Sequence, residues 1–306
     1  MVDYVAFNVI IDDIIFPDGS TRMGVLGGGG TQTAFGMRLW SSSVGLIAGV
    51  GPDLPDSARE WLDRSGVDLG GVVTSNLPTP RAWQVTEADG RREQIWRVPG
   101  AVLGEHLGRI PTEMPARFPA RKAFHRGLHP LEPEVERLAA LRALAPLVSV
   151  EPFKPAERLC REDELRPTLE TVDIYSPNLV EARSMLGPGA PGELIRRLFE
   201  LGGHTVTLRM GDAGTLAARA GSAQALHIPA VPVDVVDAVG AGNAFCGGFV
   251  VGWCETGDLA LAGAYGAVAA SFLVEQVGIP LLTPQVYVEA NRRLAWVRER
   301  ITWCDL

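Results

Sequence analysis

Cysteine is scarce in this chain, and its spacing is uninformative. Cys160, Cys246, Cys254 and Cys304 form no C-x-x-C pair and show no histidine-associated spacing, which argues against a zinc site or disulfide framework and for a reducing, cytoplasmic home. Positive charge is also short, because 28 Lys and Arg against 36 Asp and Glu give a formal charge of −8. Such a chain has no broad attraction for nucleic acid or an anionic membrane, so a phosphate-bearing partner must be met by a shaped local site. No uninterrupted apolar run reaches the roughly 18 residues of a membrane span. The opening stretch MVDYVAFNVIIDDIIF is interrupted by Asp3, Asp12 and Asp13 and reads as a core strand, not an export signal. Apolar residues are plentiful, at 46% of 306, enough for a substantial core.

Short apolar runs alternate with helical patterns. Strands are expected over 5–11, 31–40, 44–51, 120–127, 144–152, 172–178, 204–210 and 216–220, with helices over 56–65, 132–144, 179–186, 192–202, 243–255 and 258–275. That alternation predicts an α/β fold with a mainly parallel sheet covered on both faces. Ligands of such sheets collect at the carboxyl ends of the strands. One segment, RAWQVTEADGRREQIWRV (81–98), reads instead as a hairpin turning at Asp89-Gly90. With the run 10–16 it predicts a small separate sheet, the alternative being an ordinary edge hairpin.

The most informative stretch is VVDAVGAGNAFCGGF, residues 235–249. Asp237 precedes a turn of small residues, Gly240-Ala241-Gly242, and a helix follows from about Ala241 or Gly242. Backbone N–H groups at a helix start lack intrahelical partners and sit at the positive end of the macrodipole, so this turn is a nest for a phosphate. Gly247-Gly248 permits close helix packing.

This run resembles the carboxy-terminal signature of the ribokinase-like PfkB carbohydrate kinases, usually D-T-x-G-A-G-D-x-F-x-G-G. Further pieces in the same order cover almost the whole chain. LGGGGTQTAFGMRL (26–39) resembles the sugar-contacting double-glycine signature, SPNLVEA (176–182) the N-x-x-E motif, and TLRMGDAGTL (207–216) the G-x-x-G turn beside the nucleotide. FNVIIDDIIFPDG, EPFKPAERLC and AASFLVEQVGIP are similar to a little-characterised branch named for a yeast protein associated with maintenance of a double-stranded RNA virus.

The resemblance implies a single ribokinase-like domain over 1–306, a three-layer α/β/α sandwich whose β lid spans about 10–25 and 78–100. It implies ATP and Mg2+ as cofactors and a sugar or nucleoside as substrate, with neither nucleic acid nor membrane as partner. Homodimers through the lid are another implication, Trp83, Val85, Ile95 and Trp96 being the apolar candidates. The acceptor would meet Asp13, Gly28, Gly29 and Gln32, the last standing where relatives commonly have Asn; a helix-start role is the alternative for Gln32. The γ-phosphate would sit on Gly240, Ala241 and Gly242. Nucleotide contacts would come from Asn178, Gly211, Gly214, Asp237 and Arg209, although Asp237 also suits loop organisation and Arg209 a surface strand end. Glu181 would hold Mg2+ through water, or serve only as a helix-stabilising first-turn acid.

Position 243 breaks the pattern. The family places there the aspartate that takes the proton of the attacking hydroxyl, and Asn243 can orient a hydroxyl but cannot accept its proton at neutral pH. Three readings follow: a base elsewhere, a slow enzyme, or a member that binds a nucleotide or phosphorylated metabolite as sensor or scaffold without transfer.

Overall fold

The computed structural model describes residues 1–87 and 92–306. The first apolar run is two strands, not one. β1 (Val2–Phe7) ends at Asn8, whose backbone is left-handed at φ 82°, and β2 (Ile10–Ile15) departs into another sheet. Asparagine is among the few residues other than glycine that adopt this conformation readily. The stretch 31–40, expected as a strand, is the helix α1 (Gly29–Arg38). Residues Gly30 to Met37 are all buried, so no polar face displays the helical period, and a buried helix then reads like a buried strand.

The chain continues through β3 (Thr21–Gly27), β4 (Val44–Val50), α2 (Asp56–Arg64), β5 (Asp68–Thr74), β6 (Arg81–Thr86), β7 (Arg92–Trp96), the short α3 (Gly100–Leu103) and α4 (Ile110–Glu113), β8 (Ala120–Leu128), α5 (Val135–Arg142) and β9 (Leu147–Pro152). It then forms α6 (Glu162–Thr171), β10 (Ile174–Tyr175), α7 (Leu179–Leu186), α8 (Pro191–Glu200), β11 (Thr205–Arg209), β12 (Thr215–Arg219), β13 (Gln224–Ile228), α9 (Ala241–Thr256), α10 (Leu259–Val274), α11 (Pro284–Arg298) and β14 (Thr302–Asp305).

Ten strands make one sheet in the order β14-β13-β12-β11-β10-β9-β8-β1-β4-β5. Pairing is parallel from β5 to β11 and antiparallel from β11 to β14. Both faces are covered. Along β1, Tyr4 and Ala6 join one core with Phe35, Phe249 and Leu273 of α1, α9 and α10, whereas Val5 and Phe7 join a second with Leu138, Leu169, Met185 and Leu198 of α5 to α8. The period-two alternation of a strand thus separates two helical layers, a ribokinase-like α/β/α arrangement.

The small sheet has the order β3-β2-β6-β7, with β2 and β6 parallel. β6 and β7 pair antiparallel from Ala82↔Trp96 to Thr86↔Arg92; the expected turn at Asp89-Gly90 lies outside the described residues. Among the described residues, no helix is long and apolar enough to cross a membrane.

Candidate active site

The glycine-rich turn opens α9. Gly240 caps the helix with a left-handed backbone, φ 84°, which admits glycine at little cost. Asp237 organises the approach, its Oδ1 accepting the Val239 N–H at 3.0 Å, and the Val236 N–H ties the segment to the Val274 carbonyl at 2.7 Å. Close packing fixes the helix itself. A β-carbon at Gly247 would lie 2.1 Å from the Thr33 carbonyl oxygen of α1, and one at Gly248 would lie 2.5 Å from that of Tyr265 in α10.

α1 presents its own start to the same place. Gly28 caps it at φ 90°, and a β-carbon on Gly29 would be 3.3 Å from Asn243 Nδ2. Gln32, buried in the first turns of α1, lies against Gly240 and accepts a hydrogen bond from Asn243 Nδ2 through Oε1 at 2.7 Å. The positive ends of two helices therefore converge on Asn243, a favourable place for an anion.

Below the turn lies a third positive group. Arg209 ends β11 and is buried at 9% exposure, not a surface strand-end residue. The space a Gly242 β-carbon would fill is taken by Arg209 Nη1, 1.8 Å from that carbon's position. Arg209 Nη2 donates to the Ser176 carbonyl at 2.6 Å, pairs with Glu151 Oε2 at 2.8 Å and faces Glu181 Oε2 at 3.5 Å. Arg209 Nε has no hydrogen-bond partner. Burial alone would lower the guanidinium's pKa, but Cys246, Glu151 and Glu181 hold it above its ordinary value.

Glu151 is the partner that the sequence reading left unassigned. It is the penultimate residue of β9 and meets His125 Nε2 at 3.2 Å and Cys246 Sγ at 3.5 Å. Burial pushes its pKa up, yet the Arg209 charge and the His125 hydrogen bond outweigh this and keep the carboxyl below its usual range. His125, Glu151 and Cys246 are close enough together to offer a metal three donors. The guanidinium on the same carboxylate opposes a second cation, and burial pushes the Cys246 thiol up, away from thiolate.

The other expected site residues lie nearby in the chain's own contacts. Asn178 caps α7: its Oδ1 accepts the Glu181 N–H at 2.8 Å while Glu181 Oε2 accepts the Asn178 N–H at 2.7 Å. This capping box, with Arg209 beside it, leaves Glu181 buried at 6% and engaged. The turn from Gly211 to Gly214 has both glycines at positive φ. A β-carbon at Gly214 would meet the Ile228 carbonyl oxygen at 2.2 Å, whereas Gly211 faces open space.

Asp13, expected beside the acceptor, is instead enclosed by the small sheet. It accepts from Arg81 Nε at 2.6 Å, Arg81 Nη2 at 2.7 Å and the Gly24 N–H at 2.8 Å, and also pairs with Arg97. The carboxylate that touches the glycine turn is Asp12. Its Oδ2 lies against Gly27, immediately before Gly28, and its Oδ1 accepts from Gln84 Nε2 at 2.9 Å. Neighbouring strand residues face opposite sides; Arg81 and Gln84 of β6 mark the two faces.

The arrangement fits a nucleotide phosphate: a left-handed glycine cap, two helix starts and a buried guanidinium converge. Glu181 Oε2, expected to hold magnesium through water, accepts the Asn178 N–H and faces the Arg209 guanidinium, which opposes a cation bound directly to that oxygen.

Comparison with known proteins agrees. Residues 18–285 match the model of the pfkB family carbohydrate kinases, and the chain belongs to that family. It is 30% identical to a cytidine kinase of Thermococcus kodakarensis over 256 residues, 83% of this chain and 89% of the relative. It is 27% identical to Protein MAK32 of Saccharomyces cerevisiae over 292 residues, 85% of this chain and 80% of that one. Among solved structures, a provisionally assigned ribokinase II of E. coli in complex with ATP and Mg2+ is similar with TM-score 0.74 at 18% identity, over 97% of this chain and 100% of that chain. By class the protein is a carbohydrate or nucleoside kinase.

Proposed function

We propose that the protein transfers the γ-phosphoryl group of ATP to a hydroxyl of a nucleoside or sugar, and does so slowly. The observation that carries this is the convergence of the Gly240 cap, the start of α1 and Arg209 on one point. Phosphoryl transfer depends mainly on positioning and on stabilising charge over the transferring group. In this reading Gly240, Ala241 and Gly242 hold the γ-phosphate through backbone N–H groups, with Arg209 beneath them. Gly211 and Gly214 flank the nucleotide; Asn178 and Asp237 shape its loops. Bound Mg2+ supplies charge neutralisation on the phosphates.

On the acceptor side, Asp12, Gly28 and Gly29 bound the hydroxyl's place, and Gln32 holds Asn243. Asn243 orients that hydroxyl without taking its proton, which removes general-base help of about 10²- to 10⁴-fold. The likeness to a cytidine kinase favours a nucleoside acceptor. The small sheet, about 10–25 and 78–100, acts as the lid, and exposed Ile95 and Trp96 are its proposed contacts with a second copy. Four free cysteines fit a reducing cytoplasm. The likeness to Protein MAK32 supports placement in that branch.

Asn243 also favours a second reading, a member that binds nucleotide or a phosphorylated metabolite as sensor or scaffold. A panel of sugars and nucleosides with Mg-ATP, scored by the phosphorylated product, separates the two. Acceptor-dependent product supports the kinase; ATP binding without product from any acceptor supports the sensor.

A further inference from the structure

Two buried carboxylates converge on one cation at the floor of the site. Glu151 lies near the end of β9 and Glu181 in the first turn of α7, so the fold brings acids from separate βα units to the same guanidinium, 2.8 Å and 3.5 Å from Arg209 Nη2. Paired carboxylate oxygens beside a phosphate-transfer site are the hard donor set a divalent cation prefers. Here the positive charge is covalently part of the chain. Arg209 is anchored at both ends: its N–H donates to the Pro177 carbonyl at 3.0 Å, and its Nη2 to the Ser176 carbonyl at 2.6 Å. Other groups share the acids: His125 and Cys246 meet Glu151, and the Asn178 N–H donates to Glu181 Oε2. A metal entering between them would have to displace a guanidinium packed against Gly242.

We propose that Arg209 takes the place of a protein-held divalent cation. Arg209 is a permanent cation under the anion turn, held between Glu151 and Glu181, and magnesium arrives on the nucleotide's phosphates without a resident site on Glu181. Glu151 and Glu181 are then positioning residues, acting through Arg209. This deepens the kinase reading and rests on it for the identity of the anion, but the absence of a resident metal site is testable alone.

The probe is Mn2+, followed by electron paramagnetic resonance with the full chain free of nucleotide. The native chain is expected to show no stoichiometric Mn2+ site. Arg209→Met should create one, on the order of tenfold tighter than any residual binding because two acids lose their cation, and Glu181→Gln added to Arg209→Met should abolish it. If Arg209→Met does not fold, Glu181→Gln alone decides. Equal, absent Mn2+ binding in native and Glu181→Gln chains upholds the proposal; a stoichiometric native site lost in Glu181→Gln overturns it. Calorimetry with Mg-ATP separates the two readings, since a native chain that binds neither free Mn2+ nor Mg-ATP keeps the cation assignment and sinks the kinase.

Discussion

Asn243 and Gln32 are hydrogen-bonded side chain to side chain at 2.7 Å. Both stand where the chain departs from the motifs it otherwise resembles. The bond joins the start of α1 to the start of α9 and fixes the Asn243 amide, so Nδ2 faces Gln32 and Oδ1 is the atom left to orient an acceptor. Gln32→Leu should therefore loosen Asn243 and raise the acceptor KM more than the ATP KM. A double-mutant cycle with Asn243→Ala should give a coupling of about 0.5–1.5 kcal/mol in kcat/KM. Additive single effects would show that the two amides act independently.

Gly242 touches Arg209 so closely that a methyl group cannot be added without moving the guanidinium. Gly242→Ala is expected to weaken ATP binding on the order of tenfold or more, as one charge-assisted contact of about 1.5–3 kcal/mol is misplaced. Gly211→Ala meets no neighbouring atom; any loss there reflects its positive φ. Calorimetric ATP titration of both variants checks the contrast.

Asp13 is enclosed, but its arginine partners are about one-third exposed and reach water. Asp13→Asn should cost about 1–3 kcal/mol, seen as a lower Tm with far-ultraviolet circular dichroism unchanged at low temperature. The pH dependence follows from the same group. Burial would raise its pKa, but the Arg81 pair and the Gly24 and Arg97 contacts lower it below the ordinary carboxylate value. Its contribution is therefore full above the unfolded-state pKa and is lost as pH falls through the lower folded-state value. The native chain should lose stability steeply in that acidic window, and Asp13→Asn less so.

The glycine turn before α9 was legible because its chemistry is local: small residues, a left-handed cap and a helix start occupy adjacent positions. The parallel sheet was legible from alternation. Other features were hidden for identifiable reasons. The run 5–11 conceals a sheet change at Asn8, since apolar composition does not report one backbone angle. The stretch 31–40 is buried all round, which erases the period that tells helix from strand. Asp12 and Asp13 differ by one residue, and on a strand that is the difference between the glycine turn and the ion pairs of the small sheet. Glu151 meets Arg209 only because β9, β10 and β11 lie side by side; no spacing in the sequence encodes that contact.

The central claim is a working phosphate site with an amide where a base belongs. The most direct measurement compares transfer from saturating Mg-ATP to one accepted nucleoside or sugar by the native chain and by Asn243→Asp, with ATP affinity measured alongside. The expected result is similar ATP affinity, a kcat about 10²- to 10⁴-fold higher in the variant, and a new acidic limb in its pH profile as the introduced carboxylate protonates. A native chain as fast as the variant would contradict the account, because some other group must then take the proton.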